Sequence, residues 1–298
     1  MVAKCCTIIY KVKFPFIFIL ICSLILTSSL SYATEKTLVN FFTLAKVTQV
    51  KGIELESVNS EQQTFSLILE RLEEIEPKYK ISSYHHALSY MEKYPNTCIR
   101  NLVKNPEREK LFIFSQPQTL YLGARVYLNP ELSSKVNYQK NKSDKINLVQ
   151  FIKDNPNYIL GIEHERSYGE TLDQQIQLIP SKNKYLMSGS SNELVLVMML
   201  YNNKIDFIIE YPDVMYNASK FSSASPLTSY GIASGDKFQF GYLACSNTKQ
   251  GRDIINQFNS ALTNSYQEPS YYKAHTDWID QSSHQTFKQL YQELILNN

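Results

Sequence analysis

The 298-residue chain lacks the marks of most catalytic and nucleic-acid-binding classes. It has no Lys/Arg stripe, and its 30 basic and 28 acidic residues nearly balance. Electrostatic capture of a phosphate backbone therefore has no footprint, and no nucleic-acid partner is expected. No Gly-x-Ser-x-Gly turn is present, so a hydrolase nucleophile elbow is unsupported. There is no phosphate loop and no dinucleotide fingerprint. The five histidines, His85, His86, His164, His275 and His284, include no pair at the i, i+4 spacing of a metalloprotease helix. His164-Glu165-Arg166 lacks the second histidine that such a site needs. There is no internal repeat and no low-complexity block. These absences give no reason to expect a metal, a cofactor or an enzyme.

The first 33 residues form a class of their own. Lys4, Lys11 and Lys13 precede an uncharged apolar run over residues 14–26, and Ser31, Tyr32 and Ala33 follow. A basic start, a short apolar middle and a small-residue end read as a secretory signal peptide cleaved after Ala33. The alternatives are an uncleaved membrane anchor, although a full span needs about 20 apolar residues, or a lipid attached at Cys22 despite the bulky Ile21 before it. No later stretch is apolar enough to cross a bilayer. Loss of the segment removes three lysines and no acid, taking the formal charge from +2 to −1. It also removes Cys5, Cys6 and Cys22, leaving Cys98 and Cys245. Two cysteines in an exported chain form most simply one disulfide, or else two free thiols.

Along the rest of the chain, strand and helix signals alternate. Residues 37–44 read as a first strand. Residues 62–75 carry Phe65, Leu67, Ile68, Leu69, Leu72 and Ile75 at helical spacing, with Asn59 or Ser60 as cap. Residues 79–81 read as a strand, 85–94 as a helix, 98–103 as a strand and 111–114 as another. A long apolar strand over 119–128 is broken by Gly123. Ser143 and Asp144 cap a helix through Ile152, residues 158–162 form a strand, and Thr171 to Asp173 open a further helix. Ser190 and Ser191 cap an apolar helix that leads into a strand over 207–209. Residues 220–235, rich in Ser and Gly, read as a linker. A strand over 238–245, a helix over 251–262 and a helical tail follow. Such alternation predicts α/β layers around a mostly parallel sheet.

The stretch "PEREKLFIFSQP", residues 106–117, resembles the hallmark of bacterial periplasmic solute-binding proteins of the type II fold, in the polar amino-acid-binding family. "GIEHERSYGETLD", residues 161–173, is similar to that family's second-lobe ligand loop, and "YNNKIDFIIEY", 201–211, to its helix–turn–Asp–strand, with Asp206 at the family's Asp. The resemblance covers most of residues 98–262 and is weak before them. It implies a two-lobed α/β architecture, each lobe a mostly parallel sheet flanked by helices. Lobe one would be residues 34–122 with 225–298, and lobe two 123–224. The crossings would lie near Gly123 and near residues 224–228, and both cysteines would fall in lobe one. It also implies a monomer that closes around a small polar solute, amino-acid-like, for an ABC transporter permease in the membrane. A secreted sensor or adaptor with a degenerate or protein-binding cleft is the alternative.

The site residues follow from this resemblance and from charge chemistry. A carboxylate in a closed cleft needs a partner, and a guanidinium offers a planar two-pronged donor. Arg108 is accordingly expected as the anion anchor, the alternative being that it pairs with Glu107 or Glu109 on a solvated loop, and Ser115 as a turn hydroxyl at the strand end. Ser167 and Tyr168 precede a helix start, where free N–H groups favour an anion. Arg166 stands where the family usually has Gly, and would either add a second cation or merely fill the turn. Glu210 is the candidate for an ammonium group, although Tyr211 aligns with the family's acid and strand alternation decides which side chain faces the cleft. Phe41 and Phe42 either stack on a ligand or pack the core. Arg108→Ala is expected to abolish binding and leave folding untouched.

Overall fold

Strand β1 (Thr37–Thr43) shows how the first lobe is built. Alternate side chains leave opposite faces of a strand, and here both faces are covered. Phe41 packs with Phe65, Phe258 and Tyr271 on one side, while Phe42 packs with Ala87, Met91 and Phe112 on the other. The two phenylalanines are core residues. The computed structural model describes residues 36–43, 59–135, 145–188, 193–221 and 227–297. Residues 1–33, on which the signal-peptide reading falls, and Ser143, Asp144, Ser190 and Ser191 lie outside the described residues.

Helix α1 (Ser60–Leu69) starts where Asn59 accepts the backbone N–H of Gln62. It stops earlier than the helical spacing predicts, because Ile75 opens strand β2 (Ile75–Ile81) instead of closing a helix. Helix α2 (Tyr84–Lys93), capped by Ser83, leads to strand β3 (Thr97–Leu102). Next comes α3 (Pro106–Leu111), a short helix where the sequence reading had none: Asn105 caps it and Pro106 presets its first turn. Strand β4 therefore begins at Phe112 and runs to Leu122. Late in the chain come β11 (Phe238–Ser246) and helices α9 (Lys249–Ser265), α10 (Pro269–Thr276) and α11 (His284–Tyr291). The strand order is β2-β1-β3-β11-β4.

The second sheet uses β5 (Arg125–Leu128), β6 (Lys145–Ile146), β7 (Leu160–Glu163), β8 (Lys184–Met187), β9 (Phe207–Glu210) and β10 (Ser229–Ile232), in the order β6-β10-β5-β9-β7-β8. Helix α4 (Pro130–Lys135) follows β5. Helices α5 (Leu148–Asp154, capped by Asn147) and α6 (Glu170–Gln177) cover one face, and α7 (Glu193–Tyr201) and α8 (Pro212–Phe221) the other. Phe207 and Ile209 point to the first pair and Ile208 to the second.

Both sheets are mixed. The first three strands of lobe one are parallel, but β11 runs antiparallel to β3 and β4, as β5 does to β9 and β10. The antiparallel members are the strands that carry the chain between sheets, since a chain that leaves one sheet and returns must reverse against its neighbours. The outward passage is at Gly123, whose N–H donates to Lys237 O at 2.8 Å. A side chain there would lie 2.1 Å from Asp236 O, so glycine alone lets the two passages run together. The return passage corrects the predicted boundary. Ser229 and Tyr230 pair with Tyr127 and Val126, so the chain changes sheets at residues 233–237 and not at 224–228. Cys98 and Cys245 face each other on β3 and β11 and are joined by a disulfide. The bond closes 147 residues of separation and clamps the two ends of the excursion through lobe two. In the chain-entropy picture a loop of that length is worth on the order of 4–5 kcal/mol.

Candidate functional site

A groove of about 850 Å³ lies between the lobes, walled by α2 and α3 on one side and by residues 165–168 and α6 on the other. Its polar character comes from Glu92, Glu107, Glu165, Glu170 and Asp173 together with Arg108, Lys110 and Arg166.

Arg108 is held by the first turn of α3, where its N–H donates to Asn105 Oδ1 at 2.9 Å. The helix turns its side chain inward, leaving it 7% exposed. One guanidinium nitrogen donates to Val103 O at 2.8 Å. The other donates to Glu165 O at 2.7 Å, and so ties lobe one to lobe two. Burial lowers its pKa, while Tyr84, Asp173, Glu165 and Glu107 work against that shift. A guanidinium stays charged at neutral pH all the same.

Ser115 is not at the site. It lies buried within β4, where its hydroxyl donates to Gln116 O at 2.6 Å and accepts Leu243 N–H at 3.0 Å. It fills the irregularity where β11 shifts register against β4, between Tyr242 and Ala244. Its role is in the sheet.

The second-lobe loop keeps its own donors occupied. Gly169, at φ 95°, turns the chain into α6. Asp173, one turn into that helix, folds back and accepts both the Ser167 hydroxyl and the Tyr168 N–H. The Gly169 N–H goes to Ser167 Oγ at 3.2 Å. The Tyr168 and Gly169 N–H groups, which precede the helix, are thus met from within the loop. Burial raises the Asp173 pKa, against the bonds from Ser167 and Tyr168 and the attraction of Arg108.

Arg166, Glu210, Tyr168 and Tyr211 do come together. Arg166 grips Glu210 with two hydrogen bonds of 2.8 and 2.6 Å and stands 3.6 Å from Glu163. Its guanidinium lies over the Tyr168 ring at 4.8 Å and the Tyr211 ring at 5.8 Å. Glu210 also accepts the Tyr211 N–H at 2.9 Å, and Tyr211 stacks on Tyr121. Burial lifts Glu163 to about 7, with Arg166 lowering it and Glu210 raising it. Arg166 and Tyr168 line the groove, and Glu163, Glu210 and Tyr211 are buried behind them.

Three features escaped the sequence reading. Glu163 is the third member of the Arg166 group, and its place one residue before His164 gave no sign of burial. Asp213, at the start of α8, accepts the Ser60 hydroxyl of α1 at 3.1 Å, a second tie between lobes. Burial pushes Asp213 up to about 7, opposed by the Ser60 bond and reinforced by Glu210. The third feature is a pair of histidines on opposite lobes. His85 and His164 lie 3.8 and 4.0 Å from the same Glu165 oxygen at the groove. No helix among the described residues is long and apolar enough to cross a membrane.

No protein-family model matches the chain, and no curated protein does. Solved structures do. An ancestral arginine-binding protein bound to arginine has 14% identity, covering 82% of this chain and 98% of its own, with a TM-score of 0.59. An amino acid ABC transporter substrate-binding protein from Streptococcus pneumoniae, bound to L-arginine, has 15% identity over 80% and 93%, with a TM-score of 0.56. An ancestral amino acid-binding protein, a precursor of cyclohexadienyl dehydratase, has 12% identity over 82% and 95%, with a TM-score of 0.55. At such identities the likeness is one of fold. The chain has the two-lobed α/β fold of type II periplasmic binding proteins.

Proposed function

We propose that the chain is an exported, non-catalytic binding protein whose lobes close on a small polar solute and present it to the permease of an ABC transporter. The solute is a carboxylate, an amino acid or a close relative, and the protein acts as a monomer in the periplasm. The observation that carries this reading is Arg108: a rigidly mounted guanidinium of lobe one that donates to a lobe-two carbonyl inside the interlobe groove. When the lobes part, that donor is released, and a carboxylate can take it with better charge match than a carbonyl offers. A solute that touches both walls favours the shut state by its differential contacts, which is all that closure requires. The fold likeness to structures solved with arginine supports the reading.

A second reading has its own observation. Glu210 is paired with Arg166, and Ser167 and Tyr168 with Asp173, so polar groups suited to a ligand are already satisfied. A secreted sensor or adaptor with a filled cleft would look this way. A thermal-shift screen across amino acids, carboxylates and polyamines separates the two. A rise of several degrees confined to one solute class supports transport binding, and a flat response to every class supports the adaptor.

A further inference from the structure

We propose that Glu163, Glu210, Tyr168 and Tyr211 form a recess for a guanidinium or primary ammonium group, and that Arg166 keeps it filled. The native cleft then admits no cationic end of a solute at this place. The inference rests on the solute-binding reading and adds a rule of specificity to it.

The recess has the chemistry of a cation receptor. Two carboxylates and two ring faces converge on one guanidinium, and a cation over an aromatic face gains further attraction when desolvated. The walls are stiff, because Glu163 ends β7 and Glu210 ends β9. The occupant comes instead from the loop after β7, on the groove side of the recess. The receptor also exceeds what its occupant uses. Glu163 Oε2 and the hydroxyls of Tyr168 and Tyr211 are buried and make no hydrogen bond, so the group has polar capacity for a ligand with more donors than Arg166 brings. A buried ion pair is weak evidence for a stabilising role, since apolar residues of similar volume often serve as well or better. Placement beside the groove gives this one a use: truncating Arg166 opens the recess to the groove and leaves two buried carboxylates without a cation.

The test adds agmatine, which has a guanidinium and no carboxylate, to Arg166→Ala, to the wild type and to the double variant Arg166→Ala/Glu210→Gln. Sodium chloride at equal ionic strength is the control. The expected result is that Arg166→Ala melts below the wild type, and that millimolar agmatine raises its Tm by several degrees while leaving the other two proteins unmoved. Calorimetry should register agmatine binding to Arg166→Ala alone. An equal shift in wild type and variant, or none in either, overturns the proposal. If Arg166→Ala does not accumulate in folded form, its refolding yield with and without agmatine is the readout: recovery supports the recess and no recovery overturns it. Agmatine has no group for Arg108 to hold. A wild type that ignores every solute therefore defeats the transport reading, whereas a variant that ignores agmatine defeats only the recess.

Discussion

Arg108 serves two ends, and its energetics differ from what the sequence alone suggests. A solvated anchor could be removed without cost to folding. This one is buried and donates to two carbonyls, each of which its loss leaves unpaired. Hydrogen bonds from a charged donor are worth about 1.5–3 kcal/mol each, and not all of that is lost where water can enter a groove. Arg108→Ala should therefore destabilise the protein by about 2–3 kcal/mol and also abolish solute binding. Chemical denaturation and calorimetry on the same sample check both, and unchanged stability with unchanged affinity would contradict the assignment. The position of Arg108 was legible because a short run of residues carries it. The partners were not. Arg166 and Glu210 are 44 residues apart, and no local spacing announces that an arginine one loop away will claim the acid. Ser115 misled because Phe-Ser-x-Pro looks like a strand ending, whereas β4 continues through Pro117 to Leu122.

At the scale of elements, α1 and α8 meet through Ser60 and Asp213, and this contact should govern the pH response. Asp213 holds its proton up to about 7 in the folded chain, but near 3.9 in an unfolded one. Between those values the folded state binds more protons, so stability falls as pH rises and levels off above 7. Glu163 acts in the same direction over nearly the same window. His275, held neutral by burial down to about 4, acts the other way and gains stability as pH climbs toward 6.5. Asp213→Asn removes one falling contribution and cannot ionise. Scanning calorimetry from pH 5 to 8 should show a smaller loss of Tm in the variant than in the wild type, and parallel profiles would refute the link. Elements with a long apolar period were readable from the sequence, among them α2, α9, β1 and β11. Short ones were not. Helix α3 has six residues, too few for a helical period to stand out. Strand β10 offers only Tyr230 and Ile232 to the core amid Ser and Gly, and so passed for a linker. Helix α10 is only two turns long and begins at Pro269, and the sequence reading had no element there.

For the whole molecule, the α/β layering was legible because strand and helix alternate, and the two-lobed plan through the resemblance carried by residues 106–117, 161–173 and 201–211. The disulfide was legible as one of two options, and β3 beside β11 decides it. What composition could not give was the number of ties between lobes. Arg108 to Glu165, Ser60 to Asp213 and Lys220 to Asp277 cross from one lobe to the other without any ligand. The central claim is that these ties open and that a solute restores closure. Spin labels on Lys93→Cys and Lys182→Cys, exposed positions outside the groove on opposite lobes, report the distance across it. Pulsed electron resonance should find two distance populations in the free protein, with the shorter one enriched by a carboxylate solute and unaffected by that solute in Arg108→Ala. A single distance that no solute class alters would contradict capture by closure.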